Sequence, residues 1–176
     1  MVQTVELLLD QAAEAVVRDQ WTTLASLGLP SQARHTGATN RPHVTLAVAA
    51  AMPAALDPRL AQAVTELPVP VLLGGLVVFR GRRGSVVLSR LVVPSAALMA
   101  LHAAVADVVA DCPDRPANLR PGAWTPHVTL ARGLTPEQVG PAVAACSAST
   151  LEAVAVTARR YDGDRKGDWL LTTLTP

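Results

Sequence analysis

The sequence predicts an α+β protein that consists of two related β-α-β-α-β halves. The hexapeptide Pro-His-Val-Thr-Leu-Ala occurs at residues 42–47 and again at residues 126–131, so part of the chain is duplicated. When the chain is shifted by 84 residues, the separation of the two hexapeptides, the predicted elements around the first copy fall on those around the second. We therefore interpret residues 1–176 as one two-lobed domain with a pseudo-twofold axis, whose halves span approximately residues 1–84 and 85–176.

The first half has the predicted order strand, helix, strand, helix, strand. Its strands are short runs rich in valine and leucine, and its helices carry apolar residues at helical spacing. We place these elements, in order, at residues 2–9, 11–27, 43–50, 57–67 and 69–79. Asp10 is placed to cap the first helix, and Asp57 with Pro58 to cap and begin the second.

The second half repeats this order. Residues 81–84, Gly-Arg-Arg-Gly, form a predicted turn, so the strands on either side of it should pair as a hairpin. Ser95 is placed to cap one helix, and Thr135 begins a capping-box pattern that starts the other. We place the strands of this half at residues 85–93, 127–131, 151–161 and 169–174.

The composition favours a well-buried core and argues against several classes of protein. Half of the residues are hydrophobic and 16% are charged. Charged residues interrupt every long apolar run before it reaches the ~18 residues of a membrane span, and the first residues lack the pattern of a signal peptide. We therefore expect a cytoplasmic monomer that makes no membrane contact and needs no obligate protein partner.

Net charge and cysteine content exclude two further kinds of site. The net charge of +1 argues against a strong non-specific attraction to nucleic acid. Cys112 and Cys146 have neither a neighbouring cysteine nor a histidine at metal spacing, so we expect free thiols in a reducing compartment. The sequence therefore predicts neither a metal site nor a cofactor.

The repeated hexapeptide carries the candidate chemistry. Side chains alternate along a strand, so His43 shares a face with Thr45, and His127 shares a face with Thr129. If the two halves face each other across a cleft, the site holds two imidazoles and two hydroxyls. Two histidines without a cysteine or carboxylate in the repeat suit acid–base chemistry better than metal binding. Threonine hydroxyls can donate to phosphate oxygens, which favours attack on a phosphodiester.

The two His-x-Thr motifs, half a chain apart and each opening a strand, resemble the signature of the 2H phosphoesterase superfamily. The form Pro-His-Val-Thr-Leu-Ala-Arg at residues 126–132 is similar to the LigT-like branch of 2′-5′ RNA ligases and cyclic phosphodiesterases. This resemblance extends over nearly the whole chain. It implies a bilobal α+β fold with antiparallel sheets flanking a central groove.

The resemblance also implies a metal-independent activity and roles for the motif residues. The expected reactions are hydrolysis of 2′,3′-cyclic or related cyclic nucleotide phosphates, and the making or breaking of 2′-5′ RNA linkages. By motif position His43 and His127 are expected to be the catalytic pair, and Thr45 and Thr129 to hold the phosphate. A small nucleotide or an RNA end is the expected substrate. A binding module that recognises such a phosphate without turnover is the alternative.

Three further residues are candidates for substrate contact. Arg132 would point away from the cleft on a regular strand, so it qualifies only if the strand ends or bulges before it. Trp124 and Tyr161 could stack on a base. His102 lies on a predicted helix stripe and should be structural, whereas His35 is either a surface residue or a lid contact.

Overall fold

The computed structural model describes residues 2–146 and 149–171. That part of the chain contains seven strands and four α-helices. The strands are β1 (Gln3–Leu9), β2 (His43–Ala49), β3 (Val69–Arg80), β4 (Val86–Val92), β5 (His127–Leu134), β6 (Leu151–Asp162) and β7 (Gly167–Leu171). The helices are α1 (Gln11–Ser26), α2 (Asp57–Ala63), α3 (Ala96–Val108) and α4 (Pro136–Ala145). Residues 172–174 of the predicted last strand lie outside the described residues.

Three of the four predicted helix starts are confirmed by their hydrogen bonds. The carboxylate of Asp10 accepts from the backbone N–H of Ala13 at 3.0 Å, and the hydroxyl of Ser95 accepts from that of Leu98 at 3.2 Å. Thr135 forms the predicted capping box at the start of α4. These side chains satisfy backbone donors that have no partner within the first turn of a helix.

The prediction that Asp57 caps α2 is wrong. Asp57 is the first residue of the helix itself. Its carboxylate instead accepts hydrogen bonds from the buried guanidinium of Arg160 and, at 3.0 Å, from the indole N–H of Trp169. The charge of Arg160 therefore takes the side chain that the sequence pattern assigned to the helix end.

All the strand pairs in the described residues are antiparallel, in the order β1-β2-β5-β4-β3-β6-β7. Because β6 also pairs with β1, six of the strands form a closed circuit. We call β1, β2, β6 and β7 the first lobe, and β3, β4 and β5 the second lobe. The lobes meet at one residue pair, Val44 with Val128, and along residues 69–73 of β3 and 151–155 of β6. The predicted α+β, bilobal fold with antiparallel sheets is confirmed.

The order of elements repeats as β-α-β-α-β, with β1 to β3 matching β4 to β6. The pairings repeat as well, because β1 lies between β2 and β6 just as β4 lies between β5 and β3. The helices cross over between the halves: α1 packs on β5 and β6, whereas α3 packs on β2 and β3. Each half therefore supplies a helix that covers the strands of the other.

The match between halves is not a constant shift of 84 residues. In the first lobe Glu6 pairs with Thr45, whereas in the second lobe Ser89 pairs with Thr129, so β1 matches β4 at a shift of 83. Glu6 also pairs with Arg159 and Ser89 with Val77, which makes the shift 82 for β3 and β6. Differences in loop length between the halves change the shift from strand to strand.

One apolar core fills the space between the sheet and the helices. Val5, Leu7 and Leu9 of β1 and Val44 and Leu46 of β2 are almost fully buried in it. The alternate residues of these strands face the opposite side, which we call the groove. Among the described helices none is both long enough and apolar enough to span a bilayer.

Candidate active site

The two motif strands lie side by side at the centre of the circuit. β2 and β5 are antiparallel and meet at Val44 and Val128, whose side chains are buried in the core. The residues on either side of these valines therefore face the groove. The antiparallel direction sets His43 beside Thr129 and Thr45 beside His127. The structure thus brings together the four residues that the sequence analysis selected.

Both histidines are held by the same hydrogen bond. Nδ1 of His43 is 2.7 Å from the carbonyl oxygen of Arg41, and Nδ1 of His127 is 2.8 Å from that of Thr125. A carbonyl oxygen can only accept, so each Nδ1 carries a proton and donates it. Each Nε2 is then the nitrogen that can exchange a proton at the groove. The two-residue approach to each strand therefore sets the tautomer of both rings.

The surroundings of His127 favour its neutral form. Burial lowers the pKa of His127, and the positive charges of Arg132 and His43 lower it further, against the effect of the hydrogen bond to Thr125. The ring of Phe79 packs beside this imidazole, with centroids 4.6 Å apart. At neutral pH, His127 is thus available as a proton acceptor.

His43 instead lies beside a buried carboxylate. Oε1 of Glu6 is 3.6 Å from Nε2 of His43, and Glu6 is only 4% exposed. Oε1 also accepts from the hydroxyl of Thr4 at 2.6 Å, and Oε2 accepts from Nε of Arg159 at 2.8 Å. Arg159, itself 2% exposed, extends the network to Asp168 at 2.7 Å.

The carboxylate of Glu6 is held in its charged form. Burial raises the pKa of Glu6, but the positive charges of His43 and Arg159, with the hydrogen bonds from Thr4 and Arg159, lower it to below its ordinary value. A negative charge close to an imidazole favours protonation of that ring. His43 is therefore the histidine that has a partner for its protonated form.

Arg132 faces the groove because β5 is irregular. Leu88 pairs with Ala131 and Ser89 with Thr129, which leaves Leu130 as an extra residue, so Arg132 follows Thr129 onto the groove face. A second irregularity leaves Gly133 unpaired, with a φ of 84° that glycine adopts without strain. Nη2 of Arg132 donates to Oγ1 of Thr129 at 3.3 Å. The first lobe has the matching bulge at Leu46, and there the position of Arg132 is taken by Val48.

Trp124 does not face the groove, and the prediction that it contacts substrate is wrong. Its indole ring is 7% exposed and stacks on the ring of His102, with centroids 3.9 Å apart. Its N–H donates to the carbonyl of Thr45 at 3.1 Å. Trp21 of α1 does the same for the other motif, donating to the carbonyl of Thr129 at 2.9 Å. Both tryptophans therefore fix the backbone of the motifs.

His102 is structural, as its helix position predicted. It is fully buried, and its Nε2 lies 3.1 Å from the carbonyl oxygen of Leu119. Burial lowers the pKa of His102, so the ring is held neutral beneath Trp124.

Tyr161 lies at the edge of a cavity beside the first motif. This cavity has a volume of about 860 Å³ and is also lined by His43, Glu6 and Arg159. The loop that precedes β2 forms another wall, so His35 lies at the cavity rather than on a remote surface. Within residues 2–146 and 149–171, no group of three or more His, Cys, Asp or Glu side chains is arranged to hold a metal ion.

Three residues at the groove were missed by the sequence analysis: Glu6, Arg159 and Phe79. Glu6 could have been noticed as the one acidic residue in the apolar run of β1. Phe79 could have been noticed because Phe-x-Gly at residues 79–81 matches Tyr-x-Gly at residues 161–163. Both signals depend on the variable shift between halves, which the sequence alone does not reveal.

Comparison with known proteins gives one family and one fold. Residues 11–164 match the family described as the 2′-5′ RNA ligase superfamily. A search of curated protein sequences gave no match. Solved structures with the same fold include TT0787 of Thermus thermophilus, which is 19% identical with a TM-score of 0.59 and coverage of 97% of this chain and 95% of that chain.

Two further structures extend this likeness. Usb1 of Kluyveromyces marxianus is 14% identical, with a TM-score of 0.54 and 97% coverage of both chains. LigT of E. coli, in complex with NADP+, is 18% identical, with a TM-score of 0.53 and coverage of 98% of this chain and 94% of that chain. At these identities the likeness establishes the fold.

Proposed function

The chain belongs to the 2′-5′ RNA ligase superfamily within the 2H phosphoesterases, and on this premise we propose that it is a metal-independent phosphodiesterase. Its proposed substrates are 2′,3′-cyclic nucleotide phosphates, or RNA ends whose 2′-5′ linkage it cleaves or forms. Membership of the superfamily supports phosphodiesterase-type activity in general. The observation that carries the proposal for this chain is the matched pair of imidazoles, each held through Nδ1 with Nε2 at the groove.

The proposed roles of the two histidines follow from their different surroundings. Neutral His127 takes a proton from the attacking water, whose oxygen forms a new bond to phosphorus. His43, in the protonated form that Glu6 favours, gives its proton to the leaving sugar oxygen as the bond between that oxygen and phosphorus breaks. The products are a phosphomonoester and a free hydroxyl, and proton exchange with solvent restores both rings. In the reverse direction the two rings exchange roles.

Three other groups are proposed to hold the phosphate. The hydroxyls of Thr45 and Thr129 donate to its non-bridging oxygens. The guanidinium of Arg132, which already contacts Oγ1 of Thr129, supplies positive charge on the His127 side. Together these donors would stabilise the charge that develops on the phosphate oxygens during transfer.

The experiment that tests the function is a turnover assay on nucleoside 2′,3′-cyclic phosphates and 2′-5′ dinucleotides. We expect His43→Ala and His127→Ala each to lower kcat by about 10²- to 10⁴-fold, the usual contribution of one acid–base group. His35→Ala, which changes a histidine at the cavity wall, is the matched control and should keep wild-type kcat. EDTA should leave the rate unchanged. Full activity in both motif variants would disprove the two-histidine scheme.

Binding without product formation in the same assay would favour the alternative, a module that recognises an RNA end or a nucleotide phosphate. We also propose that the chain acts in the cytoplasm as a monomer without an obligate protein partner. Light scattering on the purified protein, which should give the mass of one chain, tests the monomer.

A further inference from the structure

The chain has one phenylalanine and one tyrosine, and they occupy equivalent places in the two lobes. In the first lobe Tyr161 pairs with Thr4, which pairs with Val48. In the second lobe Phe79 pairs with Val87, which pairs with Arg132. Each aromatic residue is therefore the outer member of the row that contains the residue immediately beyond the motif bulge.

Both rings border the groove and are only half-buried. Phe79 contacts the imidazole of His127, with centroids 4.6 Å apart and an angle of 46° between the rings. Tyr161 lines the cavity that also contains His43. Each catalytic histidine proposed above thus has one non-tryptophan aromatic ring on its own side, and the chain has no other phenylalanine or tyrosine.

The surroundings of the two rings differ in a way that suits two parts of one ligand. The Tyr161 side is walled by the loop at residues 34–40 and has a volume of about 860 Å³, within the range of small-molecule sites. The Phe79 side leads into the exposed hairpin tip, where Arg80, Arg82 and Arg83 add positive charge. The first is a closed pocket and the second an open, basic ledge.

Resting on the phosphodiesterase function, we propose that the groove binds one nucleobase on each side of the scissile phosphate, one against Tyr161 and the other against Phe79. The substrate class is then a dinucleotide or a longer RNA end rather than a mononucleoside cyclic phosphate, which can occupy only one of the two rings. The terminal nucleoside lies in the Tyr161 pocket, and the rest of the chain leaves over the arginines of the hairpin. Aromatic faces stack on any base, so the site measures base number rather than base identity.

The test uses three 2′-5′-linked dinucleotides: one with both bases, and two in which one base or the other is replaced by hydrogen. For the wild-type protein we expect kcat/KM to be at least about tenfold higher for the two-base compound than for either abasic one, the usual effect of one stacked base. Phe79→Leu should remove the advantage conferred by one base, and Tyr161→Leu the advantage conferred by the other.

The conservative variants separate stacking from a structural role. Phe79→Leu keeps apolar volume beside His127, and Phe79→Tyr and Tyr161→Phe keep a ring and should keep the base dependence. If Phe79 served only to position His127, Phe79→Leu would lower kcat/KM equally on all three compounds. That result, or equal wild-type kcat/KM on all three, would overturn the proposal while leaving the two-histidine function intact.

Binding gives a second measurement that does not depend on turnover. Because the chain has one phenylalanine and one tyrosine, each ring gives a single set of NMR signals. In His127→Ala, the two-base compound should shift both sets, and each abasic compound only one set. Unshifted rings on saturation with the two-base compound would disprove the stacking. Full turnover by both motif histidine variants would instead refute the function on which it rests.

Discussion

Glu6 and Ser89 occupy equivalent positions in the two halves, each paired with the threonine of its own His-x-Thr motif. Both side chains are almost fully buried at the groove. One half therefore places a carboxylate beside its histidine where the other half places a hydroxyl. This single difference separates the electrostatic surroundings of two rings that are otherwise held in the same way.

Glu6→Gln tests the consequence for catalysis. The change keeps the size of the side chain but removes the negative charge 3.6 Å from Nε2 of His43, so the protonated imidazole loses its partner. We expect kcat at neutral pH to fall about tenfold, on the scale of one charge interaction at a partly buried site. Ser89→Ala is the matched control at the equivalent position and should leave kcat near wild type. An unchanged kcat in Glu6→Gln would contradict the role of the carboxylate.

Glu6 should also make the stability of the fold depend on pH. Its pKa in the folded protein is lowered from the ordinary value of 4.5. The charged carboxylate therefore contributes stability that is complete above the unfolded value and is lost as the pH falls through the lower folded value. We expect urea unfolding below pH 5 to show a smaller loss of stability in Glu6→Gln than in wild type. The exposed Glu66→Gln is the control and should keep the wild-type dependence.

Arg132→Gln should change both binding and the pH profile. After burial, the charge of Arg132 is a cause of the lowered pKa of His127, so its removal should raise that pKa. Because the proposed base must be neutral, the acidic limb of the pH–rate profile should move to higher pH. KM should rise as well, since a cation near the phosphate is lost. NMR titration of His127 checks the first effect, with the exposed Arg80→Gln as control.

Trp21→Phe and Trp124→Phe should each lower the free energy of unfolding. Each removes an indole N–H that donates to the carbonyl of a motif threonine, a bond worth about 1 kcal/mol net when buried. Trp124→Phe should leave KM unchanged, because the indole is packed on His102 and does not reach the groove. Urea unfolding and KM are the two measurements. A large rise in KM without a loss of stability would instead place Trp124 at the substrate.

The sequence was informative wherever a rule of regular structure applied. Alternation along a strand was sufficient to select His43, Thr45, His127 and Thr129, and the family resemblance gave the fold. Arg132 required a bulge at Leu130, which the sequence analysis named as a condition but could not place. Burial of Trp124 depends on its stacking with His102, a tertiary contact that no local pattern encodes.

The variable shift between halves concealed the remaining groove residues. At a constant shift of 84, Glu6 would match Arg90, and the pairing of Glu6 with Ser89 would be lost. Arg90 in fact points to the other face, where it donates to the carbonyls of Leu73 and Gly74. Register depends on loop lengths and bulges, so the equivalence of Phe79 and Tyr161 became visible only in the strand pairings.

The exchange of helices between the halves bears on how such a duplicated chain could have arisen. The first helix covers strands of the second half, and Trp21 of that helix holds the carbonyl of Thr129. A single half on its own would leave its motif strand uncovered. An ancestor with one copy would therefore have had to assemble as a symmetric homodimer, with two identical histidines at its axis. Gene fusion then allowed Glu6 and Ser89 to diverge, because one sequence no longer had to serve both sides.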